Sequence, residues 1–298
     1  SGTYGRLMAD HFVFCLPEER FDPEMLIGRF VRQFTAHQSN FVISPRVGVY
    51  RVEDAALDVN LMCDRAYMAL RSVKTGSARR IAYYNESMRS RILEEQQLIG
   101  DVQEALQKEQ FEVFLQPQYN HHSGALVGAE ALVRWNHPTK GMIQPSSFIP
   151  VLEKNGLITQ LDIYVWTQTC KLLRRWREEG LPQISVSVNV SRVDIQALDL
   201  CRTILRLTEE NGATPQELRL EITETAYIEN AGLLIEAVRE LQSKGFFIEM
   251  DDFGKGQSSL NALKNVPVDV LKLDLGFLKE SGSDGGRSGG DAGQQVGG

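Results

Sequence analysis

Leu218-Arg219-Leu220-Glu221 is a short, strand-like apolar run that ends on a carboxylate, and the same ending recurs a β/α unit apart. Val186-Ser187-Val188-Asn189 lies before it, and Ala129-Glu130-Ala131-Leu132-Val133-Arg134 earlier still. On the other side, Phe246-Phe247-Ile248-Glu249-Met250 runs into Asp251 and Asp252, and Val270-Leu271-Lys272-Leu273-Asp274 follows. Further strands are predicted at Phe111 to Gln116 and Ala125 to Trp135, with His121-His122-Ser123-Gly124 in the turn between them. Helical spacing fills 146–155 (entered through Pro145-Ser146), 160–179, 194–211, 229–244 and 258–265. Alternation of this length predicts an α/β fold, either a parallel sheet or a (β/α)8 barrel of the TIM type. Roughly six strands are visible where a closed barrel needs about eight, so an incomplete barrel is expected.

A single Asp after a strand means little, and taken alone Asn189 reads as a cap and Glu130 or Glu221 as half of an ion pair. A barrel gathers its C-terminal strand ends on one face, so in succession these residues describe one oxygen-rich site. Glu130, Asn189, Glu221 and Asp251 would offer hard oxygen ligands suited to Mg2+ or Mn2+, and Asp252 could bridge to a second ion. Lys272, two residues before Asp274, would pair with the acidic cluster or orient a water. Two divalent ions in such a site are a standard solution for phosphodiester hydrolysis.

The bulk numbers narrow the alternatives. A net charge of −7 with no face-sized excess of Lys and Arg argues against a nucleic-acid polymer as partner. No apolar run reaches about 18 residues and no signal peptide is visible, so the numbered chain reads as cytoplasmic. Cys15, Cys63, Cys170 and Cys201 are widely spaced and read as buried thiols in a reducing compartment. His121 and His122 read as solvated, and Trp135, Trp166 and Trp176 as packing residues.

Residues 1–85 read as a separate α+β region. Strands are expected at Phe12 to Leu16, Val47 to Tyr50 and Ile81 to Tyr84, and helices at Pro23 to His37 and Ala55 to Val73. The chain opens almost directly on a strand with no earlier element to pair beside it, which gives the look of a domain cut in half. Residues 86–109 form a long polar helix pattern, either a connector or, through its apolar stripe, a homodimer contact. The barrel is expected over 110–280. Residues 281–298 form a Gly-rich tail that cannot build a packed core.

The ordered motifs resemble the EAL family of cyclic-di-GMP phosphodiesterases. The resemblance rests on Glu130-Ala131-Leu132-Val133-Arg134-Trp135, Asn189-Val190-Ser191, Glu221-Ile222-Thr223-Glu224, Asp251-Asp252-Phe253-Gly254 with Ser258-Ser259-Leu260, and Lys272-Leu273-Asp274. It implies that Glu130, Asn189, Glu221 and Asp251 hold a first metal, and that Asp252 and Asp274 serve a second metal or the attacking water. It further implies Lys272 as the catalytic lysine, Arg134 as the phosphate-gripping arginine and Gln116 as a substrate-pocket glutamine. Glu224 would hold the loop from Phe253 to Ser259, whose closure Gly254 and Gly256 would ease. The family's later Ala-Glu-Gly-Val-Glu and Gln-Gly type segments do not occur, so the resemblance implies a truncated barrel with impaired hydrolysis. The alternative is a regulatory module that binds cyclic di-GMP, or a partner protein, without cleaving anything.

Residues 1–85 resemble the second half of a GGDEF domain, the diguanylate cyclase fold. The resemblance rests on Arg6-Leu7-Met8-Ala9-Asp10-His11-Phe12, Val47-Gly48-Val49 and Cys63-Asp64-Arg65-Ala66-Tyr67-Met68-Ala69-Leu70. Met8 and Ala9 stand where the family has two glycines, and His11 where it has an acidic residue. A degenerate regulatory domain is therefore expected.

Overall fold

The computed structural model describes residues 2–37, 43–74, 80–229, 231–254 and 267–274. The chain divides into two compact units, 1–97 and 98–298, and the division falls inside one helix. The helix expected at 258–265 and the tail at 281–298 lie outside the described residues, as do Gly256, Ser258, Ser259 and Leu260.

In the first unit, β1 (Thr3–Met8) and β2 (His11–Cys15) form an antiparallel hairpin. This corrects the expectation that the first strand has nothing beside it. The polar opening Thr3-Tyr4-Gly5-Arg6 hides β1 from hydrophobic patterning, although Arg6 Nε closes the turn by donating to the Ala9 carbonyl at 2.9 Å. Next come α1 (Pro23–His37), β3 (Val47–Val49), α2 (Val59–Ser72) and β4 (Ile81–Tyr83), with β3 and β4 paired in parallel. Helix α2 starts four residues later than expected, because the Asp58 side chain accepts from Asn60 N and fixes the N-terminus there. Gly48 is required: a Cβ there would stand 2.1 Å from the Ala66 carbonyl of α2. The core of this unit is small, with Ala69, Val73 and Ala82 buried beneath Tyr84 and Met88. Cys15 is exposed, contrary to the expectation of four buried thiols.

Helix α3 (Glu86–Gln107) carries the division between units. In the second unit its Val102 and Ala105 are fully buried with Phe111, Trp135, Phe148 and Leu161. That end of the apolar stripe is thus spent within the chain.

The second unit is an α/β fold. Strands β5 (Phe111–Tyr119) and β6 (Leu126–His137) pair antiparallel, and β7 (Gly141–Ile143) adds to β6. After α4 (Pro145–Lys154) and α5 (Ile158–Glu178) come β8 (Ser185–Val190), α6 (Arg192–Ala197), α7 (Leu200–Asn211) and β9 (Leu218–Thr223). Then follow α8 (Glu224–Glu229), α9 (Ala231–Ser243), β10 (Phe247–Phe253) and β11 (Val270–Leu273). The strand order is β11-β10-β9-β8-β6-β5, with β6, β8, β9, β10 and β11 mutually parallel.

The single helix expected at 194–211 is two helices. Leu198 is extended and the Asp199 side chain accepts from Arg202 N, which starts a new helix. Similarly, α8 begins straight from β9 with Ala226 N donating to Thr223 Oγ1, five residues before the expected helix at 229–244.

Side chains alternate along each strand. Val186, Val188, Val190, Leu218, Leu220, Ile222, Ile248 and Met250 pack outward in one core with Trp166, Leu173, Ile204, Leu207, Leu234 and Leu241 of the helices. Each such side chain contributes roughly 1.5–3 kcal/mol by leaving water. The alternate positions carry Ser187, Asn189, Arg219, Glu221, Glu249 and Asp251. The outer face stabilises the sheet and leaves the inner face to polar groups.

Candidate active site

Parallel register sets Asn189 of β8 level with Glu221 of β9, and Glu221 level with Glu249 of β10. Asp251 lies two residues above Glu249, in register with Thr223. On the antiparallel side, Gln116 of β5 is directly opposite Glu130 of β6. Pairing alone therefore builds a row of oxygens across adjacent strands, about 4.8 Å apart.

Lys272 joins the row from β11. Its Nζ donates to Glu221 Oε2, lies 3.4 Å from Glu130 Oε2 and 3.4 Å from Glu249 Oε2. Asn189 Nδ2 donates to Glu130 Oε1 at 3.4 Å, which closes a group of Glu130, Asn189, Glu221 and Lys272 from four strands. Burial pushes the Glu221 carboxyl up to about 7; Lys272 opposes that shift, while Glu130 and Asp251 reinforce it. For Lys272 burial works against the charged form, but Glu221, Glu130 and Glu249 outweigh it and the ammonium is held above its usual pKa.

The rim just above is irregular. Register between β10 and β11 shifts between Met250 and Phe253, and Asp252 takes φ +57°, the left-handed region. The bulge breaks the alternation that would separate Asp251 from Asp252. Asp274 N donates to the Phe253 carbonyl at 3.1 Å, so Asp274 extends β11 alongside that bulge. Glu224 is buried, and its Oε2 accepts from Gly254 N at 2.9 Å, which ties α8 to the start of the loop after β10. Gly254 itself has φ +92°, a conformation that side chains resist. Arg134 stands apart from the group. Four residues beyond Glu130 on β6, about 13 Å along the strand, it donates to the Val133 carbonyl and lies over the Phe114 ring at 5.9 Å.

The donors present suit a hard divalent cation. Glu221 Oε1 is buried without a hydrogen-bond partner, the donor set is carboxylate and amide oxygen, and a cationic ammonium already sits among the carboxylates. As they stand, no three Asp, Glu, His or Cys side chains among the described residues form a metal-holding cluster, and Lys272 lies among Glu130 and Glu221.

Two residues of this site carry no expectation from sequence. Glu249 is 1% exposed and is held by Arg219, whose Nη1 donates to its Oε1 at 2.9 Å. The signal is parity: Glu249 is two residues before Asp251, and Arg219 two before Glu221, so both belong to the inner face. His121 and His122 are exposed turn residues and Trp135 and Trp166 are fully buried, as expected.

The EAL domain family matches residues 99–289. The chain belongs to the EAL family. An uncharacterized protein of Synechocystis sp. is 36% identical to this EAL chain over 223 residues, which is 75% of this chain and 32% of that protein. MucR of Pseudomonas aeruginosa, a bifunctional diguanylate cyclase/cyclic di-GMP phosphodiesterase, is 29% identical over 289 residues, 95% of this chain and 42% of MucR. The solved structure of the PaMucR phosphodiesterase in complex with c-di-GMP superposes with a TM-score of 0.59 at 35% identity. It covers 63% of this chain and 77% of that one. This EAL chain spans less than half the length of either of those two curated relatives. No described helix is long and apolar enough to cross a membrane.

Proposed function

We propose that the second unit is a metal-dependent phosphodiesterase that opens one phosphodiester of cyclic di-GMP to give the linear dinucleotide. The observation that carries this reading is the convergence of Glu130, Asn189, Glu221 and Lys272 from four strands onto one point. Glu130, Asn189, Glu221 and Asp251 would hold a first Mg2+ or Mn2+, and Asp252 and Asp274 a second. Such ions, when bound, neutralise phosphate charge and acidify the attacking water. Lys272, held charged among the carboxylates, would supply a donor to the reacting phosphate or water. Gln116, level with Glu130, and Arg134, with its planar fork of donors, grip the dinucleotide. Glu224 fixes the loop through Gly254. The relatedness to a cyclic di-GMP phosphodiesterase and to a c-di-GMP complex supports this choice of substrate.

The test is release of linear dinucleotide from cyclic di-GMP with Mn2+ and with EDTA. Hydrolysis that needs the metal and disappears in Glu130→Ala is expected; full activity in that variant would remove Glu130 from the site. A second reading, a binding module without hydrolysis, is favoured by Lys272 lying where a cation would go. Binding of cyclic di-GMP with no product at any Mn2+ concentration decides for it.

For the first unit we infer a degenerate, non-catalytic GGDEF-type domain. Met8 pairs with His11 across the β1–β2 turn, and the His11 ring packs 5.5 Å from Tyr67, where an acidic residue would be needed for metal. The alignment with MucR over 95% of the chain takes in part of this unit. Failure to form cyclic di-GMP from GTP is the expected result.

A further inference from the structure

Lys272 faces three carboxylates with a single positive charge. Its Nζ bonds Glu221 and lies 3.4 Å from both Glu130 and Glu249. Two of these, Glu130 and Glu221, are the residues assigned to a divalent ion above. An incoming ion therefore takes away the two partners that hold the ammonium and repels it as well. Lys272 must then be held by something else or leave the site.

Glu249 is the group in position to hold it. Its Oε1 is committed to Arg219 at 2.9 Å, whereas its Oε2 is buried and accepts no hydrogen bond from any described group. That atom faces Lys272 Nζ across 3.4 Å, slightly beyond a good charge-assisted bond. An unsatisfied buried carboxylate oxygen is costly, and a shift of a few tenths of an ångström by Lys272 would satisfy it. Arg219 keeps the carboxylate turned so that Oε2 stays aimed at β11. Charge alternates in sign from Arg219 through Glu249 to Lys272, which on its other side faces two carboxylates, Glu221 and Glu130.

We propose that Glu249, oriented by Arg219, is a positioning residue that receives Lys272 when a divalent cation occupies Glu130 and Glu221. The inference rests on the metal site proposed above. It makes Lys272 a switched group: paired with Glu221 without metal, and with Glu249 when metal is bound.

The test is a double-mutant cycle on Mn2+ affinity, measured by electron paramagnetic resonance on the whole chain without substrate, with Glu249→Gln and Lys272→Met. Gln keeps the oxygen that Arg219 binds and removes the charge that would receive the ammonium; circular dichroism checks folding. In the parent chain Glu249→Gln is expected to weaken Mn2+ binding about tenfold, a fold-change that corresponds to about 1.4 kcal/mol. In the Lys272→Met background the same change is expected to alter affinity by less than about twofold, because there is no ammonium left to receive. An equal loss in both backgrounds would make Glu249 a metal ligand or a distant charge and overturn the proposal, and no loss in either overturns it too. Glu221→Gln separates the two readings. If the chain shows no Glu221-dependent Mn2+ binding, the metal site itself falls and this inference with it. Glu221-dependent binding without coupling between Glu249 and Lys272 sinks the inference alone.

Discussion

Leu220 and Glu221 are neighbours on β9, both about 1% exposed or less, and they belong to opposite faces of the sheet. Leu220 packs outward with Val188, Ile248 and the helices, where burial releases free energy and asks nothing of orientation. Glu221 is buried inward at a cost, among Lys272, Glu130 and Asp251, with one oxygen left unpaired. The period of two along a strand therefore separates stability from chemistry residue by residue. A slip of one position would exchange the two completely.

The sharpest way to break that comparison is to change each neighbour alone. Glu221→Gln is expected to lower metal-dependent hydrolysis of cyclic di-GMP on the order of a thousandfold, since an electrostatic and ligand contact at the reacting centre is lost. Steady-state kinetics with saturating Mn2+ measure it, and a loss under tenfold would take Glu221 out of the metal site. Leu220→Ala is expected to cost about 2–5 kcal/mol of folding free energy. Urea titration reads that cost, and turnover per folded molecule should stay within about twofold. A large activity loss in folded Leu220→Ala would show that the outer face does more than support.

The same contrast explains what could be read from sequence. Outer positions such as Val186, Val188, Leu218 and Leu220 announce strands because they are apolar and regularly spaced. The inner residues at strand ends were legible as a set because barrel topology gives them one destination. Glu249 was not, since a carboxylate within an apolar run has no meaning until register places it level with Glu221. Strand β1 was missed because its residues are mostly exposed and lack an apolar face. The break at Leu198 and Asp199 was hidden because an apolar stripe continues on both sides of it, while a capping aspartate interrupts the backbone. Arg134, singled out by motif, donates to the Val133 carbonyl and lies over the Phe114 ring, apart from the group around Lys272.

A finer test uses protons. The Glu221 carboxyl has its pKa raised to about 7 by burial, above the ordinary value of 4.5. The folded state therefore binds more protons between those values, and stability falls as pH rises through that window and then levels off. Metal binding runs the other way, because the proton on Glu221 must leave first. Below about pH 7, Mn2+ affinity is expected to drop up to tenfold per pH unit. The rise in Tm on adding Mn2+ should accordingly be larger at pH 8 than at pH 6. Equal shifts at both values would mean that Glu221 is not the group that the metal meets.

The smallest expected effect lies where the two faces meet, at the bulge. Asp252 has φ +57° inside β10, the left-handed region, which Asp enters more readily than most L-residues but less readily than Gly. That strain relative to Gly persists when the side chain is wanted at that point more than the backbone is. Asp252→Gly removes both the strain and the carboxylate. Its Tm is expected to stay level or to rise by the equivalent of about 0.5–1 kcal/mol, even after the added freedom of glycine in the unfolded chain. On the proposal that Asp252 serves a second ion, hydrolysis should fall. A clear loss of stability would instead mean that Asp252 is held for the sheet, and its place would then be with Leu220 rather than with Glu221.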